Sequence, residues 1–253
     1  NLHYLRGLNL SAQGDRALAR QSWERAEIVD PTHVPARVAL GVWHARRNDP
    51  RAQEFFSEVL DGLSPGHATA QVEQAYFWIQ AGQNTDKANA GLNRVLAMSE
   101  DDLSAFERSR AYYVRSSLAL RTDNNSAAIE DIEKALEFNP NNELAAASQI
   151  EIHIEEDNLA TADKKLVAAE QRFIRRFEFR RLRALLHMRS GEPQAAVAAL
   201  GAVAPGDIDG KLLLGDIHVQ LKQWKRAQTA YAEADLAGSD QARAQLNLVR
   251  AIL

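Results

Sequence analysis

Small and large apolar residues recur along this chain with a period of about 34 residues. In each period an alanine is followed four residues later by a large apolar residue, and seven residues later by a small or β-branched one. This spacing places all three side chains on one face of an α-helix. The alanines are Ala19, Ala52, Ala88, Ala128, Ala162, Ala196 and Ala227. The large residues are Trp23, Phe56, Leu92, Ile132, Leu166, Leu200 and Tyr231.

A second helix is predicted upstream of each alanine. Eleven to thirteen residues before the alanine stands a residue that is small in six of the seven periods, and a small residue lets two helix backbones approach closely. Turn-forming segments such as "QGDR" (13–16) and "SGEP" (190–193) separate the two positions. Each period therefore predicts a helix, a tight turn and a second helix. The upstream residues are Gly7, Gly41, Ala75, Ser116, Ile150, Ala184 and Gly215, with Ile150 as the exception.

The chain is therefore predicted to be all-α, a single array of antiparallel helix pairs. Prolines in segments such as "VDPTH" (29–33) and "VAPGD" (203–207) mark where one pair ends and the next begins. The third period is long, and "SAFE" (104–107) has the pattern of a capping box, so we expect an extended first helix from about Ala105. The predicted repeats are residues 1–33, 34–66, 67–103, 104–142, 143–176, 177–207 and 208–239, with 240–253 as a partial repeat or capping helix.

The repeating unit resembles the tetratricopeptide repeat family over nearly the whole chain. The best match is 111–142, through Tyr112, Ser116, Ala128, Ile132, Ala135 and Pro140. Three residues depart from the family's pattern, since Arg115 and Arg183 stand where leucine is usual and Ile150 stands where a small residue is usual. The resemblance implies an α-solenoid with a right-handed superhelix of about seven repeats, whose first helices line an inner groove that binds proteins or peptides.

Candidate ligand residues follow from placing the family's inner-face pattern on each first helix. The resemblance implies an early groove that is aromatic and apolar, and a later groove that carries charges of both signs. The lysine and asparagine pair with which some family members clamp a carboxylate terminus is not matched, so we expect no such clamp. The candidate groove residues are Tyr4, Leu8, Arg46, Tyr76, Gln80, Tyr113, Arg121, Arg181, Arg189 and Asp216.

Charge is distributed unevenly along the 253 residues. The net charge is −4, but the segment 172–189 holds seven arginines and one acid, which leaves −10 for the rest of the chain. An apolar content of 45% with 25% charged residues is ordinary for a soluble folded protein. A protein that binds nucleic acid along its whole surface would be basic throughout, so we expect no nucleic-acid partner.

Two interpretations of the arginine run stay open. In the first, Arg180 and Arg183 face the preceding repeat, pack their stems there and pair with its acids. In the second, Arg181 and Arg189 form a basic groove patch for an acidic partner. "RFIRR" (172–176) would end one helix, and 177–189 would form the next with Phe179, Leu182 and Leu186 buried. The acids expected to pair with Arg180 and Arg183 are Glu151, Glu155, Glu156 and Asp157.

The residues carry no pattern typical of catalysis. The chain lacks cysteine, which excludes disulfides and thiolate chemistry, and it has no phosphate-binding loop, dinucleotide fingerprint, zinc-protease motif or nucleophile elbow. "HIEED" (153–157) is interpreted as a solvated acidic helix end and not as a metal site. We therefore predict a non-enzymatic protein with no cofactor and no metal.

Histidine recurs at one position of the repeat. His44, His153, His187 and His218 each lie three residues after the position that is usually small, where the family favours tyrosine. A metal track or a pH switch is one interpretation, but packed helices lie ~8–10 Å apart, too far for equivalent histidines to share a metal easily. We favour packing in place of tyrosine, with neutral side chains and a stability that falls in mild acid.

The leading functional hypothesis is a scaffold that binds a protein or extended peptide in the groove, with affinity from the early repeats and register from the later ones. The alternative is a periplasmic module of a bacterial polysaccharide export or outer-membrane assembly system. The start at Asn1 and the end within the helical pattern of 241–253 are typical of a fragment, and the lack of cysteine favours a periplasm over a cytosol. No run of eighteen apolar residues exists, so we expect no membrane insertion by this chain.

Overall fold

The computed structural model describes residues 1–174, 176–204 and 206–252, except the side chain of Ala251. These residues form fifteen α-helices and no strand, which confirms the all-α class and the paired helices. Arg175 of the arginine run and Pro205 of the predicted repeat end lie outside the described residues. The helices are α1 Leu2–Ala12, α2 Arg16–Val29, α3 Val34–Ala45, α4 Arg51–Glu58, α5 Ala68–Ala81, α6 Thr85–Leu96, α7 Ala105–Arg121, α8 Asn125–Phe138, α9 Glu143–Glu155, α10 Leu159–Arg172, α11 Phe177–Arg189, α12 Pro193–Leu200, α13 Ile208–Gln220, α14 Trp224–Leu236 and α15 Asp240–Ile252.

The helices form two compact units, Asn1–Asn142 and a second that begins at Glu143. The first unit holds four helix pairs, from α1/α2 to α7/α8, and α4 continues into a π-helical turn at Val59–Leu63. The second unit holds three pairs, from α9/α10 to α13/α14, followed by α15. Within each unit the second helix of a pair also packs against the first helix of the next. One pair falls within each of the seven ranges expected from the sequence.

The two helices of a pair meet where a small residue faces a large one. A Cβ atom built on Gly215 would lie 2.2 Å from Cε1 of Tyr231, so the tyrosine ring occupies the space of the missing side chain. Tyr231 is 1% exposed in consequence. The glycine is therefore required by close approach and not by its backbone angles. The three pairs in which a glycine meets a ring are Gly7 with Trp23, Gly41 with Phe56, and Gly215 with Tyr231.

Pairs that lack this glycine are packed by side chains of more similar size. Ala184 and Leu200 are fully buried in one cluster. Ile150, the exception in the sequence pattern, is 1% exposed and packs in one cluster with Leu166. Two mid-sized branched side chains thus replace one small and one large side chain at similar total volume, which cores tolerate well.

The turn of every predicted pair contains a residue with a left-handed backbone within three residues of the end of the first helix, and the turn before α6 has a second one at Asn84. The N–H of the following residue then donates to a carbonyl five positions back, as from Glu192 to His187 at 2.8 Å, which caps the first helix in a Schellman arrangement. Glycine fills only three of the seven positions, and asparagine and aspartate, which tolerate this conformation, fill three more. The seven residues are Gly14, Asn48, Gly82, Asp123, Asp157, Gly191 and Lys222.

Three of the recurring histidines close these turns a second time. Nδ1 of His44 lies 2.9 Å from Oδ2 of Asp49, and Nδ1 of His218 lies 2.9 Å from Oε1 of Gln223. The same bond joins His187 to its fifth neighbour, Glu192, at 2.8 Å. Because the partner oxygens can only accept, Nδ1–H is the donor in each. Each of these histidines is therefore joined twice to the residue five positions later. Its backbone carbonyl accepts from that residue's N–H, and its ring bonds to that residue's side chain.

Helix α7 begins at the capping box that the sequence predicts, after the long segment that follows α6. The Ser104 hydroxyl accepts from the N–H of Glu107 at 3.3 Å, and the Glu107 carboxylate accepts from the N–H of Ser104 at 3.2 Å. This is the expected capping box at the start of α7. Leu103, just before it, is 1% exposed, so the extension is anchored in the core.

Arg108 fastens this extension from the inside. Its guanidinium donates to the carbonyls of Leu96, Met98 and Ser99 at 3.1–3.3 Å and stacks on Phe138. A positive charge at the C-terminal end of a helix such as α6 is favourable, because the last carbonyls there lack helical partners. The arginine therefore satisfies the loop carbonyls that a longer connection would otherwise leave buried and unbonded.

The two arginines that stand where leucine is usual, Arg115 and Arg183, join the first helices α7 and α11 to the second helix of the preceding pair. Arg115 donates to both oxygens of Asp131 in its own pair, and its Nη1 donates to Asn93 of α6 at 2.8 Å. Arg183 donates to Glu170 of α10 and also pairs with Asp163. These bonds are charge-assisted and therefore among the stronger ones.

The prediction of which acids pair with Arg183 is therefore wrong. Its face of α11 is directed toward the second helix of the preceding pair, α10, and not toward the first helix, so it meets Glu170 and Asp163. Arg180 instead lies over the ring of Phe177, at 5.0 Å from its centroid. The acids that were expected are Glu151, Glu155, Glu156 and Asp157.

Gly215→Ala is predicted to destabilise the fold by about 1–3 kcal/mol, because the new methyl group would overlap Tyr231. Helix propensity alone predicts the opposite sign, a gain of about 1 kcal/mol. Gly91→Ala, inside α6, is the matched control, since its new Cβ meets only Nη2 of Arg94 at 4.0 Å and should stabilise. Denaturant titrations distinguish the two, and Tyr231→Leu should recover part of the loss in the double variant. The same sign at both glycines would contradict the packing argument.

Stability is predicted to fall in mild acid because of His67 and His218. Burial lowers the pKa of His67, although Glu107 acts to raise it. Burial likewise lowers the pKa of His218, against the opposing bond to Gln223. The folded state therefore binds protons at these two side chains less readily than the unfolded chain, which takes up protons near pH 6.5. The free energy of unfolding should thus decrease as pH falls from 7.5 to 5.5, as measured by denaturant titration at each pH.

Single substitutions test which side chains cause this dependence. Nδ1 of His67 accepts from the N–H of Ala70 at 3.2 Å and caps α5, and asparagine can serve as a cap in the same place. His67→Asn should therefore keep the helix while reducing the pH dependence. His218→Tyr should reduce it as well. An unchanged pH dependence in both variants would show that neither histidine is responsible.

Candidate protein-interaction groove

Two neighbouring first helices, α5 and α7, bring Tyr76 and Tyr113 together around Arg110. Cζ of Arg110 lies 4.6 Å from the ring centroid of Tyr76 and 5.5 Å from that of Tyr113. Both tyrosines are half-buried and were predicted groove residues. Cation–π contacts hold the two rings on either side of one guanidinium, so the pair is ordered before any partner binds.

Glu73 fixes the guanidinium at the centre of this cluster. Its two oxygens accept from Nε and Nη2 of Arg110 at 2.8 and 3.0 Å. Burial alone would lower the pKa of Arg110, but the charge and hydrogen bonds of Glu73 outweigh it, and the pKa is raised. The arginine thus stays charged while its charge is balanced within the fold. The cluster of Tyr76, Tyr113, Arg110 and Glu73 thus presents two aromatic rings and no net charge.

Sequence reasoning missed Arg110 and Glu73. Each stands three residues before one of the tyrosines, on the same side of its helix. An acid and a base that each precede an expected groove tyrosine by three residues could have been recognised in the sequence as an ion pair. Whether Glu73 and Arg110 lie opposite each other, however, depends on how α7 is positioned along α5, which is set by the packing of the segment between them.

Gln80 and Arg121 stand at the ends of the same two helices and are exposed. Arg121 reaches across from α7 to the end of α5, where a Cβ on Gly82 would lie 3.3 Å from its Nη2. Tyr76, Tyr113, Gln80 and Arg121 are therefore four predicted groove residues that the structure brings to one surface of α5 and α7. We call this surface the Tyr76–Tyr113 surface.

The predicted residues of the first two pairs lie apart from that surface. Tyr4 is half-buried, with its ring 5.2 Å from that of His33, and Leu8 is exposed. Arg46 is exposed at the end of α3 and lines a cavity beside Trp43. These residues belong to α1, α3 and the turns next to them.

In the second unit, the predicted arginines face acids of the neighbouring first helix. Arg181 donates to Glu151 of α9 at 3.0 Å and to Glu178 of its own helix at 2.8 Å. Burial would lower the pKa of Arg181, yet these two acids raise it. Burial and the nearby Glu151 raise the pKa of Glu155, and Arg189 partly opposes this. Arg181 and Arg189 of α11 are thus close to acids of α9 in the preceding pair.

Asp216 has a partner within its own helix pair. Its Oδ1 accepts from the hydroxyl of Tyr231 at 2.6 Å. Burial raises the pKa of Asp216, and the tyrosine bond acts against that rise. The carboxylate therefore positions the ring that packs on Gly215.

The described residues contain no group of three histidine or acidic side chains arranged to hold a metal ion. Over the same residues, none of the helices combines the length and the apolar character needed to cross a membrane. The site is thus a surface of aromatic, charged and amide side chains on adjacent helices, which is suited to non-covalent recognition.

Comparison with known sequences identifies one repeat directly. Residues 109–142 match the family described as tetratricopeptide repeat, and these residues hold most of α7 and all of α8. No curated protein matches the chain at a significant level.

Solved structures match the fold over nearly the whole chain. A tetratricopeptide repeat protein from Parabacteroides merdae ATCC 43184 is 19% identical, with 98% of this chain and 97% of that chain covered and a TM-score of 0.69. The hetero-tetramer Cut9–Hcn1 of the APC/C contains a chain that is 12% identical, with coverages of 98% and 49% and a TM-score of 0.76. PilW, named as a widely conserved type IV pilus biogenesis factor, is 17% identical, with coverages of 85% and 97% and a TM-score of 0.63. The resemblance to the tetratricopeptide repeat family is thereby confirmed, in one repeat by sequence and along nearly the whole chain by fold.

Proposed function

We propose that this chain is a non-enzymatic scaffold that binds a protein or an extended peptide along the face formed by its first helices. Tetratricopeptide repeat folds are typical of protein-interaction scaffolds. The observation that carries the proposal is the Tyr76–Tyr113 surface, in which Glu73 and Arg110 hold two tyrosines in place. Aromatic side chains held in this way contribute much binding energy, because little conformational freedom is lost on binding.

The charged first helices of the second unit would set the register of the partner. Arg181 with Glu151, and Arg189 beside Glu155, present both signs in alternation. A partner segment with complementary charges would be aligned by them, since rim charges affect orientation and association rate more than affinity. Affinity and register would thus come from different parts of the chain.

Photo-crosslinking tests where a partner lies. A benzoylphenylalanine at Gln80, exposed beside the Tyr76–Tyr113 surface, should capture a partner in an extract of the source cells. The same group at Glu133, exposed on the second helix α8, should not. Equal capture at both positions would contradict binding along the first helices.

Tyr76→Ala and Tyr113→Ala are each expected to weaken affinity for the captured partner by about fivefold or more, as removal of an aromatic anchor does. Phe106→Ala, an exposed aromatic residue on α7 outside the cluster, is the control and should leave the affinity unchanged. Titration calorimetry measures the affinity, with only variants that keep the parent melting temperature compared. Folded tyrosine variants with full affinity would refute the proposed site.

A second candidate function is a module of a bacterial export or outer-membrane assembly system. It is supported by the absence of cysteine and by a fold shared with PilW over 97% of that protein. Cell fractionation of the full-length parent distinguishes the candidates, because this function requires the protein in the cell envelope. A cytosolic parent would refute it and leave the scaffold proposal intact.

A further inference from the structure

Helices α1, α2 and α3 enclose a cavity of about 230 Å³ whose polar wall is cationic. Three arginines line it, and no acid does. We call it the Trp43 pocket. It lies among the first two helix pairs and does not include the residues of the Tyr76–Tyr113 surface. The lining residues are Ser11, Arg16, Trp23, Ala39, Val42, Trp43, Arg46 and Arg47.

Trp43 holds two guanidinium groups over its ring. Cζ of Arg47 lies 3.7 Å from the ring centroid, and Cζ of Arg20 lies 4.9 Å from it. A guanidinium that lies over an aromatic face keeps its N–H donors free at the edge of its plane. Nη1 of Arg47 donates to the Trp43 carbonyl at 3.2 Å, which leaves further donors of the same group for a ligand. The stacking also reduces the freedom that binding would otherwise remove.

The positive charge of this pocket is largely unbalanced. Arg20 pairs with Glu24 at 3.4 Å, whereas Arg16, Arg46 and Arg47 form no ion pair with any carboxylate of the described residues. Clustered like charges repel one another, and an anion placed among them relieves that repulsion. The half-buried Arg110, by contrast, has Glu73 beside it. The three arginines that line the Trp43 pocket are exposed to solvent, so their charges are accessible to a ligand.

Two indole N–H groups of the residues that line the pocket donate no hydrogen bond. Trp23 is 7% exposed, and its indole N–H has no hydrogen-bond partner; that of Trp43 has none either. Nε1 of Trp23 lies against Gly7, so it is covered by the helix contact. The indole N–H groups of Trp23 and Trp43 are thus buried without an acceptor in residues that line the pocket.

We propose that the Trp43 pocket binds the side-chain carboxylate of an acidic segment in the protein partner. The inference rests on the proposed function, because it assumes a protein ligand. The volume is below that of an ordinary small-molecule site and admits a single side chain. A nucleic acid fits less well, since the chain is negative overall. Guanidinium groups recognise carboxylates in a planar, two-point manner.

Indole nitrogen resonances test the proposal with a defined probe, the capped peptide acetyl-(Glu)4-amide. In 15N-labelled protein, the indole signals of Trp43 and Trp23 should shift saturably as the peptide is added, with assignment by Trp43→Phe and Trp23→Phe. The signal of Trp78 is the internal control and should stay in place, because its N–H already donates to Gln53 at 2.6 Å. The uncharged peptide acetyl-(Gln)4-amide should cause no saturable shift.

Charge variants locate the binding groups. Arg46→Gln should weaken peptide binding by about threefold, and the double variant Arg16→Gln/Arg46→Gln by about tenfold, as expected for partly exposed ion pairs. Arg25→Gln removes the same charge from an exposed position outside the pocket and should change affinity by less than about 1.5-fold. Equal weakening by Arg25→Gln would overturn the proposal, since it would show attraction by net charge alone.

Two further outcomes would also overturn the proposal. One is an equal response to the glutamine peptide. The other is tighter binding of single-stranded DNA to the same signals with a steep salt dependence, which would assign the pocket to phosphates. Failure here is separable from failure of the scaffold function: unshifted indole signals with intact crosslinking at Gln80 would refute only the pocket. Crosslinking lost at Gln80 with peptide binding retained would refute only the Tyr76–Tyr113 surface.

Discussion

In six of the seven helix pairs, the first helix has a small residue where the second helix has a large one, and in three of them a ring fills the space left by a glycine. Tyr231 against Gly215 shows how much depends on this contact, because it leaves no room for even one methyl group. Burial of such a side chain contributes about 2–3 kcal/mol, and the close approach sets the distance between the two helix axes. The turn between them follows, since a connection of three to five residues reverses direction through a left-handed residue.

Polar groups fill the positions that this packing leaves between successive pairs. Arg183 joins α11 to α10, and Arg108 satisfies the carbonyls of the extension before α7. Each arginine is bonded by two or more acceptors, so the cost of burying its charge is offset. Such bonds link neighbouring repeats, which is the level at which the stability of a repeat protein is decided.

The two proposed binding surfaces differ in how their charge is treated. At the Tyr76–Tyr113 surface, Glu73 neutralises Arg110, and the rings are what remains to contact a partner. At the Trp43 pocket, the guanidinium of Arg47 lies over the Trp43 ring, and no acid lines the pocket. The first arrangement favours an apolar or aromatic anchor, and the second favours an anionic group. One partner segment that carries both features could occupy both surfaces.

The sequence by itself determined the helix pairs, their small-to-large contacts and the capping box at Ser104, because each depends on residues close in the chain and on the 3.6-residue period. Only the tertiary structure decided which charges meet, as when Arg183 meets Glu170 and Arg110 enters between the tyrosines. A helical period defines a face within one helix, whereas partners on other helices depend on the rotation and offset between pairs, which packing sets.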